Sequence, residues 1–427
     1  HRWTRPGADE LRSRPMHAPT PAALLALMFL VGTTGCFIDR SGNRSLDAGP
    51  RDSGARQDGG RDGGRDGGMV PIDAGSDAGF DAGIDAGPPI ECDTTTCPAP
   101  AACVSGVCEF DCVGSSCLSA VTCPPGLPCR VLCGAFECPG IDCLSATSCE
   151  IHCDANDACP GDIACAGSSC TVSCGARACQ GTIDCTADSC DIDCAGGDAC
   201  ADPVSCTNTA GTCSLTCAGN DSCGDDVSCD AGTCNIDCAT RACTGTTRCT
   251  ASSACDVTCR GGDACTGAVR CDATTCTVGC LGNDACKGTV ECVARECDIE
   301  CRTRGCVGAL ACTGSDRCGV ACVGDGACGS TVRSEAPLSD VACTGNDSCV
   351  GVLTCRGARC DMRCLVRACG AAVDCTGVGD CNLACVGADS CVGLLSCTGS
   401  QCIDCIGAGA CPAGTSPGCT HSIAECP

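Results

Sequence analysis

The sequence predicts an all-β fold: a disulfide-clipped parallel β-solenoid of about 16 tiers of about 21 residues, preceded by a signal peptide and a disordered linker. Three observations carry this. Cysteine supplies 63 of 427 residues while aromatics make up 1%, so an ordinary aromatic-aliphatic core is excluded and oxidised sulfur must replace it. From Cys92 onward the cysteines recur in a four-beat cycle with a period of about 21 residues, the mark of a stacked array. Between them, polar and apolar residues alternate with period two, as in strands with one face inward.

The N-terminal elements come first. Ala22 to Val31 is a ten-residue apolar run, too short to span a bilayer and suited to a signal-peptide core. His1 opens the sequence; Met16 is the expected start, with residues 1–15 a gene-call extension. The run ends in Val31-Gly32-Thr33-Thr34-Gly35-Cys36, which resembles a bacterial lipobox, and that resemblance implies acylation of Cys36. A plain secretory cleavage nearby is the alternative. Setting Cys36 aside leaves 62 cysteines, an even number. Without residues 1–35 the formal charge is 22 − 50 = −28, against −26 for the whole chain. Such acidity argues against nucleic acid as a partner.

Residues 36–91 are expected to be the lipidated N-terminus and a disordered tether. Asp58-Gly59-Gly60, Asp62-Gly63-Gly64 and Asp66-Gly67-Gly68 are followed by Asp-Ala-Gly units opening at Asp73, Asp77, Asp81 and Asp85. This composition buries too little apolar surface to offset chain entropy. As a random coil of about 52 residues it reaches roughly 40 Å.

The array spans residues 92–427. Its four cysteines are denoted a, b, c and d; Cys229, Cys234, Cys238 and Cys243 make one cycle. Midway between b and c stands an apolar residue in each cycle from Phe110 to Leu383, with polar neighbours on either side. The d-to-a stretch also alternates, as in Gly267 with Val269 and Gly288 with Val290. Each cycle therefore predicts two short strands and two turns, folded so that a meets b and c meets d. The expected pairs include Cys165–Cys170, Cys174–Cys179, Cys185–Cys190, Cys194–Cys200, Cys229–Cys234, Cys238–Cys243, Cys249–Cys255 and Cys259–Cys265. Bonds between stacked tiers also fit disulfide geometry. One irregular tier favours pairing within tiers: Ser334 and Ser339 replace a and b together.

The turns hold the candidate chemistry. Gly219-Asn220-Asp221, Gly261-Gly262-Asp263, Gly282-Asn283-Asp284 and Gly345-Asn346-Asp347 resemble calcium-binding turns of the RTX β-roll, which implies Asp221, Asp263, Asp284 and Asp347 as calcium ligands. Competing with calcium, Arg177, Arg241, Arg304 and Arg367 recur every third tier on the same edge. Asp turns flank each of them: Asp157 and Asp198, Asp221 and Asp263, Asp284 and Asp325, Asp347 and Asp389. Ion-pair ladders of this kind relieve like-charge stacking.

Other classes fit less well. Thiolate metal storage wants dense Cys-x-x-Cys groups, and only Cys402 and Cys405 have that spacing. The tiers resemble insect antifreeze solenoids, but outward residues such as Asp191 and Asp193 do not make a regular threonine array. His152 and His421 are the histidines beyond residue 35, and His152 is expected on an outward face rather than as a general base. No nucleophile–base pairing or phosphate loop stands out, so no small-molecule substrate and no enzyme is expected. Gly35-Cys36, the Asp-Ala-Gly tether and the cysteine array together resemble the Cys-rich lipoproteins of myxobacteria and related deltaproteobacteria. That resemblance implies an exported outer-membrane lipoprotein, facing outward or the periplasm. It implies membrane attachment through the acyl anchor and a cell-surface or polysaccharide partner. The function expected is a structural or adhesive rod with acidic edges, or alternatively a calcium-dependent RTX-like binding module.

Overall fold

A computed structural model describes residues 92–411, except 94, 115–116 and 398–399. Within these residues the chain is a parallel β-solenoid of about 14 turns of about 21 residues, with no helix. The expected signal peptide, Cys36 and the expected tether lie outside the described residues. The turn number is lower than the sequence suggests for two reasons. Residues from 412 onward are not among those described, and the first four cysteines do not build a tier.

Those first cysteines pair crosswise, Cys92 with Cys103 and Cys97 with Cys108. Ala102–Val104 folds back antiparallel on Val107–Cys112, whereas every later pairing among the described strands is parallel. Cys92, Cys97 and Cys108 pack with buried Leu127 over the first tier. A solenoid end otherwise exposes an open apolar layer, so this crossed knot acts as its cap.

Beyond the cap, cystines close both edges of the tiers. Cys229 is bonded to Cys234 and Cys238 to Cys243, and the pattern recurs at Cys165–Cys170, Cys174–Cys179, Cys185–Cys190 and Cys194–Cys200. It continues at Cys249–Cys255 and Cys259–Cys265. In the irregular tier, Ser334 registers with Cys312 and Cys355, and Ser339 with Cys318 and Cys360. Both serines are buried, and Ser334 Oγ has no hydrogen-bond partner. They stand where a cystine stands in the tiers above and below.

Two aliphatic columns fill the space between the cystine edges. One runs through Ile151, Val172, Ile192, Leu215 and Ile236 on the b-to-c side, and the other through Ile163, Ile183, Val204 and Val227 on the d-to-a side. Burying two such residues per tier recovers about 3–6 kcal/mol. This falls far short of the entropy of ordering a whole tier, so chain closure by cystine must contribute. A cystine closing a six-residue loop is worth about 2 kcal/mol in the chain-entropy treatment.

The expectation of two short strands per tier holds at the ends and fails in the middle. From Val204 to Val323 each tier is one continuous strand of 12 to 14 residues, as in Val227–Cys238, running through the a–b corner. The ladder turns that corner because residues between a and b still pair with their neighbours, Asp230 with Thr250 and Ala231 with Ala251. Corner length sets the register. Cys229–Cys234 spans 5 residues and Cys249–Cys255 spans 6, and the ladder shifts between Ala231 and Thr233. Cys271–Cys276 and Cys292–Cys297 both span 5, and no shift separates those tiers. The extra residue is absorbed as a bulge, which leaves every inward side chain in phase.

The opposite wall is held by close approach. A Cβ on Gly288 would stand 2.2 Å from the Gly267 carbonyl oxygen, and one on Gly308 would stand 2.0 Å from that of Gly288. This explains the glycine two places after d.

Restoring the missing cystine tests the arrangement. The double substitution Ser334→Cys/Ser339→Cys is expected to oxidise spontaneously and to stabilise by about 2 kcal/mol. Thiol titration and thermal unfolding read this out; two persistent free thiols in the double variant would contradict within-tier pairing.

Candidate functional site

The c–d turns form a single column at one edge. Asp157, Arg177, Asp198, Asp221, Arg241, Asp263, Asp284, Arg304, Asp347, Arg367 and Asp389 all have φ between 50° and 57°. This left-handed conformation favours glycine, asparagine and aspartate, and arginine adopts it only where surrounding structure enforces it. Here the enforcement is visible. The Arg241 amide donates to the Gly262 carbonyl one tier on, and the Arg241 carbonyl accepts from the Asp221 amide. The turn is thus fixed by the stack, and its side chain is carried outward at a regular interval.

Three of the four arginines pair with the aspartate of the preceding tier. Arg177 pairs with Asp157, Arg241 Nη2 lies 2.7 Å from Asp221, and Arg304 Nη2 lies 2.9 Å from Asp284. The hydrogen bonds to Asp157, with Asp198 adding its charge, hold the Arg177 guanidinium above its ordinary pKa. Asp263 meets Lys287 Nζ at 2.5 Å. One expected ladder differs: Gly326, with φ 61°, takes the column place next to Arg304, and Asp325 stands beside it. The flanking is therefore asymmetric, with ion pairs made toward the preceding tier.

The four candidate calcium residues all belong to this column. Three of them, Asp221, Asp263 and Asp284, are engaged with cationic side chains, and the Asp347 amide donates to the Arg367 carbonyl at 2.9 Å. The stack does not gather the four carboxylates at one point; it distributes them along the edge.

The b-to-c sheet offers a second candidate surface, because two outward files flank its buried aliphatic column. Near the N-terminal end Glu109, Arg130 and Glu150 register in line. Arg130 Nη1 lies 3.3 Å from Glu109, and Arg130 Nε lies 2.7 Å from Glu150. Hydrogen bonding from His152 first, then from Arg130, holds Glu150 below the usual carboxylate range. His152 Nε2 is 2.9 Å from Glu150, on the outward face. Farther along, glycine and alanine at Gly319, Ala321 and Ala342 open a shallow groove of about 310 Å³ rimmed by Asp298, Glu300 and Arg317. Asp191 and Asp193 lie between tiers bearing Thr171 and Ser173 on one side and Ser214 and Thr216 on the other, so this charged tier stands between two neutral ones.

One buried file escaped the sequence reading. The residue immediately before d is small and enclosed: Ala158, Ala178, Ala199, Ser222, Ala242, Ala264 and Ala285. Its signal was present as Asp-Ala-Cys and Arg-Ala-Cys triplets. Ser222 Oγ donates to the Gly219 carbonyl at 2.7 Å, so the hydroxyl is satisfied inside its own turn. At Cys402, the Cys-x-x-Cys spacing reflects a displaced cysteine: Gln401 registers with Cys381, and Cys405 is bonded to Cys411.

Comparison with known proteins returned no matching family model, no matching curated protein and no matching solved structure.

Asp193 gives a pH signature. Burial, followed by the charges of Asp191 and Asp154, pushes its carboxyl above the ordinary value, and its Oδ1 has no hydrogen-bond partner. The folded state thus favours the protonated form, and stability is lost as pH rises through the folded value. Asp193→Asn is expected to melt higher than the unsubstituted chain at pH 7. The gap should close as pH falls below about 4, where the unfolded carboxyl also protonates. A pH-independent gap in thermal melts would assign the effect elsewhere.

Proposed function

We propose that this chain is a non-enzymatic cell-surface lipoprotein, anchored through acylated Cys36, whose solenoid serves as a structural or adhesive rod. What supports the reading most is the edge column, in which one strained turn carries Asp or Arg outward in tier after tier. A repeated charge display on a cross-linked scaffold suits contact with an extended partner, such as a polysaccharide or a cell surface. About 14 tiers at about 4.8 Å extend roughly 70 Å, so the display exceeds the size of a single small-ligand site. Dense cystine fits an oxidising, exported location. The calcium-dependent alternative is carried less far, because three of its four carboxylates already meet cations.

Metabolic labelling with a palmitate analogue, combined with protease shaving of intact cells, tests the reading. Label is expected on the unsubstituted chain and not on Cys36→Ala, with the solenoid reached from outside. Cells lacking the protein are expected to adhere less. Soluble secretion without label would overturn the anchor, and unchanged adhesion would overturn the role. Calcium titration of the purified chain separates the alternative, which requires binding heat and a rise in melting temperature.

A further inference from the structure

His152 is the one histidine among the described residues, and its place in the wall is fixed from behind. The strand Ser148–Cys153 turns Ile151 and Cys153 into the interior, so Glu150 and His152 project outward. Asp154 follows where the c–d turn begins, and its carboxylate stands beside the His152 ring. Cys153 between them is bonded to Cys159, and its carbonyl accepts from the Gly175 amide one tier on at 2.9 Å. The backbone that carries both side chains is therefore locked by a cystine and by the ladder. The corresponding places after Cys133 and Cys174 are Gly134 and Gly175, so no side chain from those places covers the Asp154 carboxylate.

The neighbours of the ring set where its proton sits. Nε2 lies 2.9 Å from Glu150 Oε1, and an ionised carboxylate accepts without donating. Nε2 therefore carries a proton. Arg130 Nε holds Glu150 from the preceding tier at 2.7 Å, so this carboxylate is itself fixed. In the neutral ring the lone pair is then on Nδ1, and it faces Asp154 Oδ2 at 3.8 Å. The other oxygen, Asp154 Oδ1, accepts from Ser173 Oγ at 2.9 Å. A nitrogen lone pair and a carboxylate oxygen thus confront each other, each held by a different neighbour. Two acceptors so placed require a cation between them. Asp193, one tier beyond Ser173 in the same file, adds negative charge, and its Oδ1 has no hydrogen-bond partner.

The donor set selects the class of cation. Zinc binds imidazole nitrogen and carboxylate oxygen at about 2.0–2.2 Å, which sets two such donors about 3.3 Å apart across a tetrahedral angle. Closing the present gap of 3.8 Å needs a shift of about 0.5 Å, within reach of small side-chain rotations. A metal-bound histidine characteristically donates its other ring N–H to a carboxylate, and Glu150 already occupies that place. Imidazole suits zinc, copper and nickel, whereas calcium takes oxygen donors. We propose that His152 Nδ1 and Asp154 Oδ2 form a binding site for a divalent transition-metal ion of the zinc type, with Glu150 as the positioning residue behind the ring.

The site is open toward solvent, with the Asp154 side chain 68% exposed and that of His152 31% exposed. An ion can therefore enter directly, and water completes its coordination. A second ring proton, on Nδ1, is the competing occupant, since it satisfies the same confrontation. The site is separate from the four carboxylates considered for calcium, and it does not rest on the adhesive reading.

The test uses the full oxidised chain carrying Cys36→Ala, so that this thiol does not compete. Freed of metal by a chelator, it is titrated with zinc chloride in a calorimeter. One saturable site is expected, weakened about tenfold or more by His152→Ala and by Asp154→Asn. Glu150→Ala is expected to weaken it about tenfold, and Glu150→Gln to restore part of the loss, because the amide oxygen still accepts from Nε2. His421→Ala and an excess of calcium are expected to leave zinc binding unchanged. With copper(II) as probe, electron paramagnetic resonance should show nitrogen coupling from one imidazole, absent in His152→Ala. Circular dichroism and thiol counts verify that each variant keeps its fold. Absence of a saturable zinc site with His152 intact overturns the proposal and leaves the proton as occupant. Zinc binding indifferent to His152 also overturns it, since the ion would then sit adventitiously on the acidic edges. Full-strength binding in Glu150→Ala overturns the positioning role alone.

Discussion

Chain closure by cystine at both edges is the constraint from which the other features of this solenoid follow. A tier of about 21 residues, with one aliphatic side chain per wall, has too little interior to hold itself flat. Sulfur across each corner removes the freedom that packing cannot. Once both corners are closed, the two walls lie close enough for a single layer of side chains, and the backbone is committed to pairing up and down the stack. Even the serine pair at Ser334 and Ser339 obeys this logic: both partners are absent together, and the closed tiers above and below hold the open one in register.

The two corners of a tier then do different work. At the a–b corner the chain is extended and tolerant. Loops of 5, 6 or 7 residues fit because a bulge takes up the difference without turning the inward face outward. The c–d corner is tight. Its turn enters the left-handed region two places before d, and up to Cys243 at d as well, and the small residue between these places is enclosed in most tiers. Length varies at both corners, by 5 to 7 residues at a–b and by 5 or 6 at c–d, and the recurring Asp and Arg stand at the c–d edge. Ion pairing along the c–d edge contributes little to stability at such exposed sites. Its consequence is the sign and spacing of the charge presented to solvent.

Much of this was legible because the governing signals are local. Cysteine spacing gave the tier, the alternation around Ile236 and Val257 gave the inward face, and the joint loss at Ser334 and Ser339 favoured pairing within tiers. What stayed hidden depends on relations between tiers. The crossed pairing of Cys92, Cys97, Cys103 and Cys108 has the same local look as a regular cycle, and only the antiparallel fold-back at Ala102–Val104 distinguishes it. Continuous central strands arise from pairing across the a–b corner, which no single tier encodes. Asp325 carries the expected residue type at nearly the expected place, yet Gly326 beside it takes the left-handed position and shifts the carboxylate out of line. For the candidate site, residue types along the edge were readable, whereas the direction of their pairing depends on contacts between tiers.

A stack of this kind has an unusual relation between fold and function. Its interior is one side chain thick and is occupied by cystine and aliphatic columns, so chemistry is confined to outward places. Substitution at those places leaves the closure of a tier intact, and each outward place repeats along the whole length. Function on such a scaffold is written in columns, and a change of role appears as a change of composition part-way along a column. On the d-to-a face the place just before a changes from Asp184 through Ser205 and Ser228 to Arg248 and Arg270, then to Glu291, Arg333 and Asp374, while the buried column behind remains aliphatic apart from Thr247.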